Sequence, residues 1–263
     1  MNRSDRANKA QETLDVFRAG YYSLDNSEID CHSRYITDFI TEGQLGVLTP
    51  PAGNLTPKYE VVNESVVDVV LRQGNCGVLN FASARRPGGG FLNGSVAQEE
   101  CLTVSSDLYF SLLKAPQFYD INNRRGSALY THNLIYSHDI LFIRDGNLDF
   151  VHKPVHANVL TSPAVNATAY YKNEGGNRQT VFEVMTERIR NILELFSIKG
   201  DRTIILGAFG CGVFGNKPND IAGLFYHLLK NSRLESNFEQ IIFAVYDRDG
   251  EQYNIFEKMF TVG

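Results

Sequence analysis

Two adjacent carboxylates, Glu99 and Glu100, close the run PGGGFLNGSVAQEE that begins at Pro87. Neighbouring carboxylates repel, so one of them can hold a proton at neutral pH, above all when part-buried. A carboxyl of that kind serves as a general acid toward a glycosidic leaving oxygen. Ahead of the pair lies Gly88-Gly89-Gly90. Backbone of this kind takes positive φ angles and comes close to bulky polar groups. Asn93, Gly94 and Ser95 are turn and capping residues, so the loop ends at a helix N-terminus, which attracts anions. A phosphate-tolerant loop feeding paired acids points to cleavage of a bond beside a sugar phosphate. Each half has a plainer reading alone. Three glycines make a tight surface turn, and first-turn acids complement the helix dipole.

A second loop, GAFGCGVFG, spans Gly207 to Gly215. Gly210, Gly212 and Gly215 fit the dinucleotide fingerprint GxGxxG, so a nucleotide oxidoreductase has to be weighed. The motif lies late in the chain rather than in a first βαβ unit, and Phe214 puts a large ring inside it. A second diphosphate cradle explains these residues better, with Phe214 packing on a ribose or base. A β-branched side chain at Gly212 would then strain the turn and block close approach. His152 and His156 are four apart, but Pro154 intervenes and excludes a helical ligand pair. No metal or other cofactor is expected. Arg85-Arg86 read as a solvated turn, and Tyr109, Phe110, Phe118 and Tyr119 as core.

These loops need strands behind them and helices after them. Gly77 to Phe81 reads as a buried strand delivering the first loop, and 98–113 as the helix carrying the acids. Thr203 to Leu206 is the strand before the second loop, and 220–231 the helix after it. Further strands are expected at 59–62, 158–165 and 240–245, with a strand pair at 129–136 and 140–144. Further helices are expected at 5–19, 34–41, 64–71, 178–197 and 251–260. The alternation predicts an α/β, three-layer α/β/α domain. The Pro-, Gly- and Thr-rich stretch 45–57 places a boundary between a helical N-terminal extension, 1–45, and the main domain, 46–263.

With 263 residues and a net charge of −5, the chain carries no basic field for a polyanion, and direct nucleic-acid binding is not expected. No run approaches about 18 apolar residues, so no membrane span is expected. The start MNRSDRANKAQ is too polar for a secretory signal. Cys31, Cys76, Cys101 and Cys211 lack CxxC spacing; Cys76, Cys101 and Cys211 lie in or beside apolar or Gly-rich runs and are expected as reduced thiols in a cytoplasmic setting (or a nuclear one in a eukaryote).

The triple glycine and Gln98-Glu99-Glu100, seven residues apart, resemble the signature of the microbial-type poly(ADP-ribose) glycohydrolases. The flank VLNFASARRPGGGF, ANKAQETL near the start, SPAVNA at 162–167 and LGAFGCGVFGN at 206–216 resemble that family too. The resemblance implies a macrodomain-like mixed sheet with a helical N-terminal extension, and hydrolysis of ribose–ribose bonds in poly(ADP-ribose). It implies Glu100 as catalytic acid and Glu99 as the holder of ribose hydroxyls. Gly88, Gly89 and Gly90 would contact the diphosphate, with Gln98 and Asn80 nearby. Gly210, Cys211, Gly212, Val213, Phe214 and Gly215 would form the opposite loop. Poly(ADP-ribose), ADP-ribose and poly-ADP-ribosylated proteins would be the partners, with reversal of ADP-ribosylation, as in the DNA damage response, as the wider role. The rivals are a macrodomain that only binds ADP-ribose, and a hydrolase of another ADP-ribose adduct.

Overall fold

A computed structural model describes residues 1–261; the last two residues of the expected main domain lie outside them. The chain opens with helix α1 (Arg3–Ala19), a hairpin of β1 (Tyr21–Leu24) and β2 (Ser27–Asp30), strand β3 (Ile36–Ile40) and a single turn, α2 (Glu42–Leu45). Then come β4 (Lys58–Val62), α3 (Val66–Gln73), β5 (Gly77–Phe81), α4 (Gln98–Ser105), α5 (Leu108–Leu112) and α6 (Pro116–Arg125). The long pair β6 (Leu134–Arg144) and β7 (Phe150–Ser162) leads to α7 (Ala167–Glu174) and α8 (Arg178–Lys199). The chain ends with β8 (Thr203–Leu206), α9 (Pro218–Tyr226), β9 (Gln240–Ala244) and α10 (Glu251–Phe260).

Seven strands form one sheet in the order β3-β6-β7-β5-β8-β9-β4. The five strands from β7 to β4 run parallel, while β6 is antiparallel to both its neighbours. The central strands are apolar on both faces, as a covered parallel sheet requires. Val78, Val159, Ile205 and Ile242 point to one face and meet Val67 and Val70 of α3, Leu102 of α4 and Phe118 of α6. Leu79, Leu160, Ile204 and Phe243 point to the other and meet Ile189 of α8, Phe225 of α9 and Phe256 of α10. Each such aliphatic or aromatic side chain contributes about 1.5–3 kcal/mol by leaving water. The three-layer mixed α/β architecture expected from the alternation is therefore present.

Several local expectations are corrected. Residues 36–40, expected in a helix over 34–41, form the edge strand β3 on β6. The segment 1–45, expected as a helical extension, is one long helix, a hairpin, this strand of the main sheet and a single turn. The hairpin turns through Asp25 and Asn26, both at positive φ, a combination suited to a two-residue turn. The helix expected over 98–113 breaks at Ser106 and Asp107. Asp107 donates its N–H to the Leu141 carbonyl at 3.3 Å and accepts the Leu141 N–H on Oδ1 at 2.9 Å. That pairing with β6 ends the helix. The strands expected at 129–136 and 140–144 are one strand, which begins only at Leu134, with irregularities between Ser137 and Ile140 and between Phe142 and Arg144. Its partner β7 begins at Phe150, not 158, through a polar stretch containing Pro154.

Candidate functional site

Loops leave the C-terminal ends of three neighbouring parallel strands, β7, β5 and β8, at one edge of the sheet. In open α/β sheets ligands bind at this edge. Asn80 and Phe81 at the end of β5 stand beside Thr161 and Ser162 of β7. The Phe81 ring lies 5.4 Å from that of Phe209 in the second loop. Gly207 leaves no room for a side chain, since a Cβ there would stand 2.6 Å from the Ala244 carbonyl of β9 and 3.1 Å from Phe81.

The triple glycine wraps directly over the acids. Gly88 and Gly89 have φ of 67° and 59°, a left-handed pair that only glycine adopts without strain. A Cβ at Gly89 would lie 2.5 Å from Glu100 Oε1 and 3.0 Å from Glu99 Oε2. The Gly90 N–H donates to Glu100 Oε1 at 2.9 Å, and the Ser83 N–H donates to Glu99 Oε2 at 2.7 Å. Gln98 spends both ends of its amide on β5, donating to the Leu79 carbonyl at 2.6 Å and accepting the Phe81 N–H at 2.9 Å. It fixes the first turn of α4 against the strand. Asn93, Gly94 and Ser95 build the turn but do not cap the helix; Ala97 is the N-cap, and no side chain bonds there.

The two carboxyls differ in exposure. Glu99 is buried, 2% exposed, and its carboxyl is pushed up to about 8, first by burial and further by the charge of Glu100, against the pull of the Ser83 N–H. Glu100 is half-buried. Asn80 is fully buried and donates from Nδ2 to Thr161 Oγ1 at 3.1 Å. Among the described residues ten buried side-chain polar atoms have no partner, and four of them belong to residues near the acids and the β5–β7 edge: Asn80 Oδ1, Glu99 Oε1, the Tyr119 hydroxyl and Ser162 Oγ. Buried polar atoms are ordinarily paired, and these four accompany the acids at the sheet edge. They can receive the hydroxyl groups of a sugar.

In the second loop, Gly210 and Gly215 are the positions that require glycine, with φ of 75° and 72°. A Cβ at Gly210 would stand 2.5 Å from Ala164, and one at Gly215 would stand 2.3 Å from Thr168 Oγ1. Gly212 is exposed, lies outside the left-handed region, and a Cβ there would meet nothing within 4 Å. The strain expected at Gly212 therefore belongs to its neighbours. Val213 stands at the tip, 90% exposed. The Cys211 thiol is half-buried and pushed up to about 12 by burial. The Phe214 ring lies 6.2 Å from Tyr130. Among the described residues no group of three or more His, Cys, Asp or Glu side chains is placed to hold a metal ion.

The family model described as "Microbial-type PARG, catalytic domain", for poly(ADP-ribose) glycohydrolase, matches residues 10–145. The chain belongs to this family. Among solved structures, the poly(ADP-ribose) glycohydrolase of Thermomonospora curvata superimposes with a TM-score of 0.90 at 31% identity, over 98% of this chain and 100% of the other. The same enzyme bound to the inhibitor ADP-HPD gives a TM-score of 0.86 at 31% identity, with the same coverage. The Deinococcus radiodurans enzyme in complex with ADP-ribose gives 0.78 at 33% identity, over 85% of this chain and 93% of the other. No curated protein sequence matches the chain.

Within this microbial-type glycohydrolase fold, sequence reasoning missed four residues that shape the site. Ser83 holds Glu99 through its N–H. Asn216 ties the second loop shut, its Nδ2 donating to the Val165 carbonyl at 2.8 Å and the Gly210 carbonyl at 3.0 Å. An asparagine directly after a glycine loop was the available signal. Tyr119, read as core, is buried, but its hydroxyl is unpaired and the Glu99 charge helps raise its pKa after burial. Arg188 of α8, fully buried, donates from Nη2 to the Leu129 carbonyl at 2.9 Å and the Thr131 carbonyl at 3.0 Å. It secures Tyr130 at φ 56° against Phe214.

Proposed function

We propose that this glycoside hydrolase cleaves the ribose–ribose O-glycosidic bonds of poly(ADP-ribose), releasing ADP-ribose, with Glu100 as the general acid. The observation that carries the assignment is the placement of the Gly88–Gly90 loop over Glu100, with the Gly90 N–H on its carboxylate. In the reaction Glu100 gives its proton to the leaving oxygen as the bond to the anomeric carbon breaks. The ribose departs as an oxocarbenium-like ion. The diphosphate, held between the two glycine loops, stabilises that cation and orients water. Water adds to the anomeric carbon and its proton returns to Glu100. Glu99 and Asn80, buried with free oxygen atoms, hold the ribose hydroxyls. Phe214 packs on the neighbouring ribose.

The elevated pKa of Glu99 favours a second assignment, with Glu99 as the donor. Its burial and the bond from Ser83 argue against it, because the proton has to reach a substrate oxygen and Glu100 is the more accessible of the two. Glu100→Gln and Glu99→Gln separate the two. Under the first assignment Glu100→Gln lowers turnover of defined polymer by at least about a hundredfold, while calorimetry still finds ADP-ribose binding. Near-normal turnover by that variant transfers the role to Glu99. A non-catalytic reader would bind polymer tightly and yield no ADP-ribose after long incubation. Acting on poly-ADP-ribosylated proteins in a cytoplasmic setting, and after DNA damage, extends the proposal; polymer levels after strand breaks, with and without the protein, test it.

A further inference from the structure

The triple-glycine loop is braced from outside by the first two turns of α1. Arg3 Nε donates to the Asn93 carbonyl at 2.7 Å, and Arg6 Nε donates to the Gly94 carbonyl at 2.8 Å. Gly94, at φ 69°, lies so close to α1 that a Cβ would stand 2.0 Å from the Arg3 carbonyl oxygen. The residues so gripped hold Gly90 in turn. The Asn93 and Ser95 N–H groups both donate to the Gly90 carbonyl, at 2.9 and 3.2 Å. Gly90 then donates its own N–H to Glu100. Phe91, inside the loop, is buried against Ala10 and Leu14 of α1. Thr13 of α1 also donates to the Val104 carbonyl of α4 at 2.8 Å, so the helix grips both the loop and the helix that carries the acids.

We propose that Arg3 and Arg6 are positioning residues for the hydrolytic reaction: through the Asn93–Ser95 turn and Gly90 they fix the orientation of the Glu100 carboxyl. The proposal rests on Glu100 being the acid. Two cations on successive carbonyls restrain the Asn93–Ser95 turn, whose residues are small. Misplacement of a catalytic group by about 1 Å costs on the order of a hundredfold in rate, so loosening this brace acts mainly on the chemical step, with a smaller effect on ligand affinity because the same loop holds the diphosphate.

Steady-state hydrolysis of defined polymer tests it, with Arg3→Ala, Arg3→Ala/Arg6→Ala and Arg6→Lys, each in the wild-type and Glu100→Gln backgrounds. Thermal melting and calorimetry with ADP-ribose accompany each variant. The double variant is expected to lose on the order of tenfold in kcat, with a smaller change in KM and in the ADP-ribose Kd. Arg6→Lys, which keeps a donor, is expected to recover part of the loss. In the Glu100→Gln background the arginine changes are expected to add no further loss. Unchanged kcat in the folded double variant, a loss in KM alone, or an equal loss on top of Glu100→Gln overturns the proposal. If the double variant does not fold, Arg3→Ala decides, because Arg3 is exposed: a smaller fall in kcat supports the brace and an unchanged kcat refutes it. Wild-type turnover by Glu100→Gln removes the acid assignment itself. A dead Glu100→Gln with a normal double variant removes only the brace.

Discussion

Glu99→Gln should stabilise the protein, and more so as pH rises. The Glu99 carboxyl has an ordinary pKa of 4.5 and is pushed up to about 8 in the fold, chiefly by burial. Between those values the unfolded chain has released this proton and the folded protein keeps it. The folded state binds more protons, so stability falls as pH rises across that window. Each pH unit inside it is worth about 1.4 kcal/mol, so pH 5 to pH 7 removes about 3 kcal/mol through this one group. Glutamine has the same shape, can still accept the Ser83 N–H, and does not titrate. The difference in stability between variant and wild type should therefore grow by about 3 kcal/mol from pH 5 to pH 7. For a domain of this size that corresponds to a Tm difference widening by on the order of 5–10 °C. Thermal melts of both proteins at half-unit steps measure it, and groups that titrate alike in the two cancel. A Tm difference that stays constant from pH 5 to pH 8 would refute the argument that burial holds a proton on Glu99.

Gly89→Ala places a Cβ against the Glu100 carboxyl in a left-handed backbone. Turnover should fall by on the order of a hundredfold, and melting should show about 1–2 kcal/mol of lost stability from strain. Gly210→Ala should lose about 1–3 kcal/mol, because both the backbone and Ala164 oppose it. Gly212→Ala should melt like the wild type. Gly212→Val should also keep its fold, yet weaken ADP-ribose more than adenosine in calorimetry; equal effects on the two ligands would remove this loop from the diphosphate site.

The site-forming strands were legible because their residues are apolar on both faces. Gly77–Phe81 stands as a short apolar run six residues ahead of one glycine loop and Thr203–Leu206 directly before the other, and both were located to the residue. The glycine loops were legible as composition, but which glycines are indispensable was not. That depends on Ala164, Thr168 and Glu100, neighbours remote in sequence or set by the turn. The N-terminal strand β3 was misread because Tyr35, Ile36, Phe39 and Ile40 also fit a helical face. Pairing with β6, about a hundred residues on, decided it. Helix α4 was overextended for a similar reason: local pattern continues through Leu108 and Leu112, and a buried Asp107 bonded to β6 interrupts it. The proton on Glu99 was anticipated for the pair, but which of the two is buried depends on how α4 seats against β5.

Strand β4 ends at residue 62, and its sheet partner β9 starts at residue 240, with β5, β7 and β8 filling the order beyond. During synthesis β4 therefore waits, with both edges unpaired, until almost the whole chain has emerged, and as the last strand of the sheet it keeps one edge open afterwards. β8 and β9 must come together before β4 finds its place in the sheet. Long-range parallel pairing of this kind folds slowly and leaves an apolar edge open to the wrong partner. The Lys58–Val62 segment, KYEVV, carries two charges in five residues. Charges on an edge strand discourage pairing with other chains, so this strand is built to wait. Replacing Lys58, which is exposed, by an apolar residue should leave the finished fold almost untouched and lower the yield of refolding at high protein concentration.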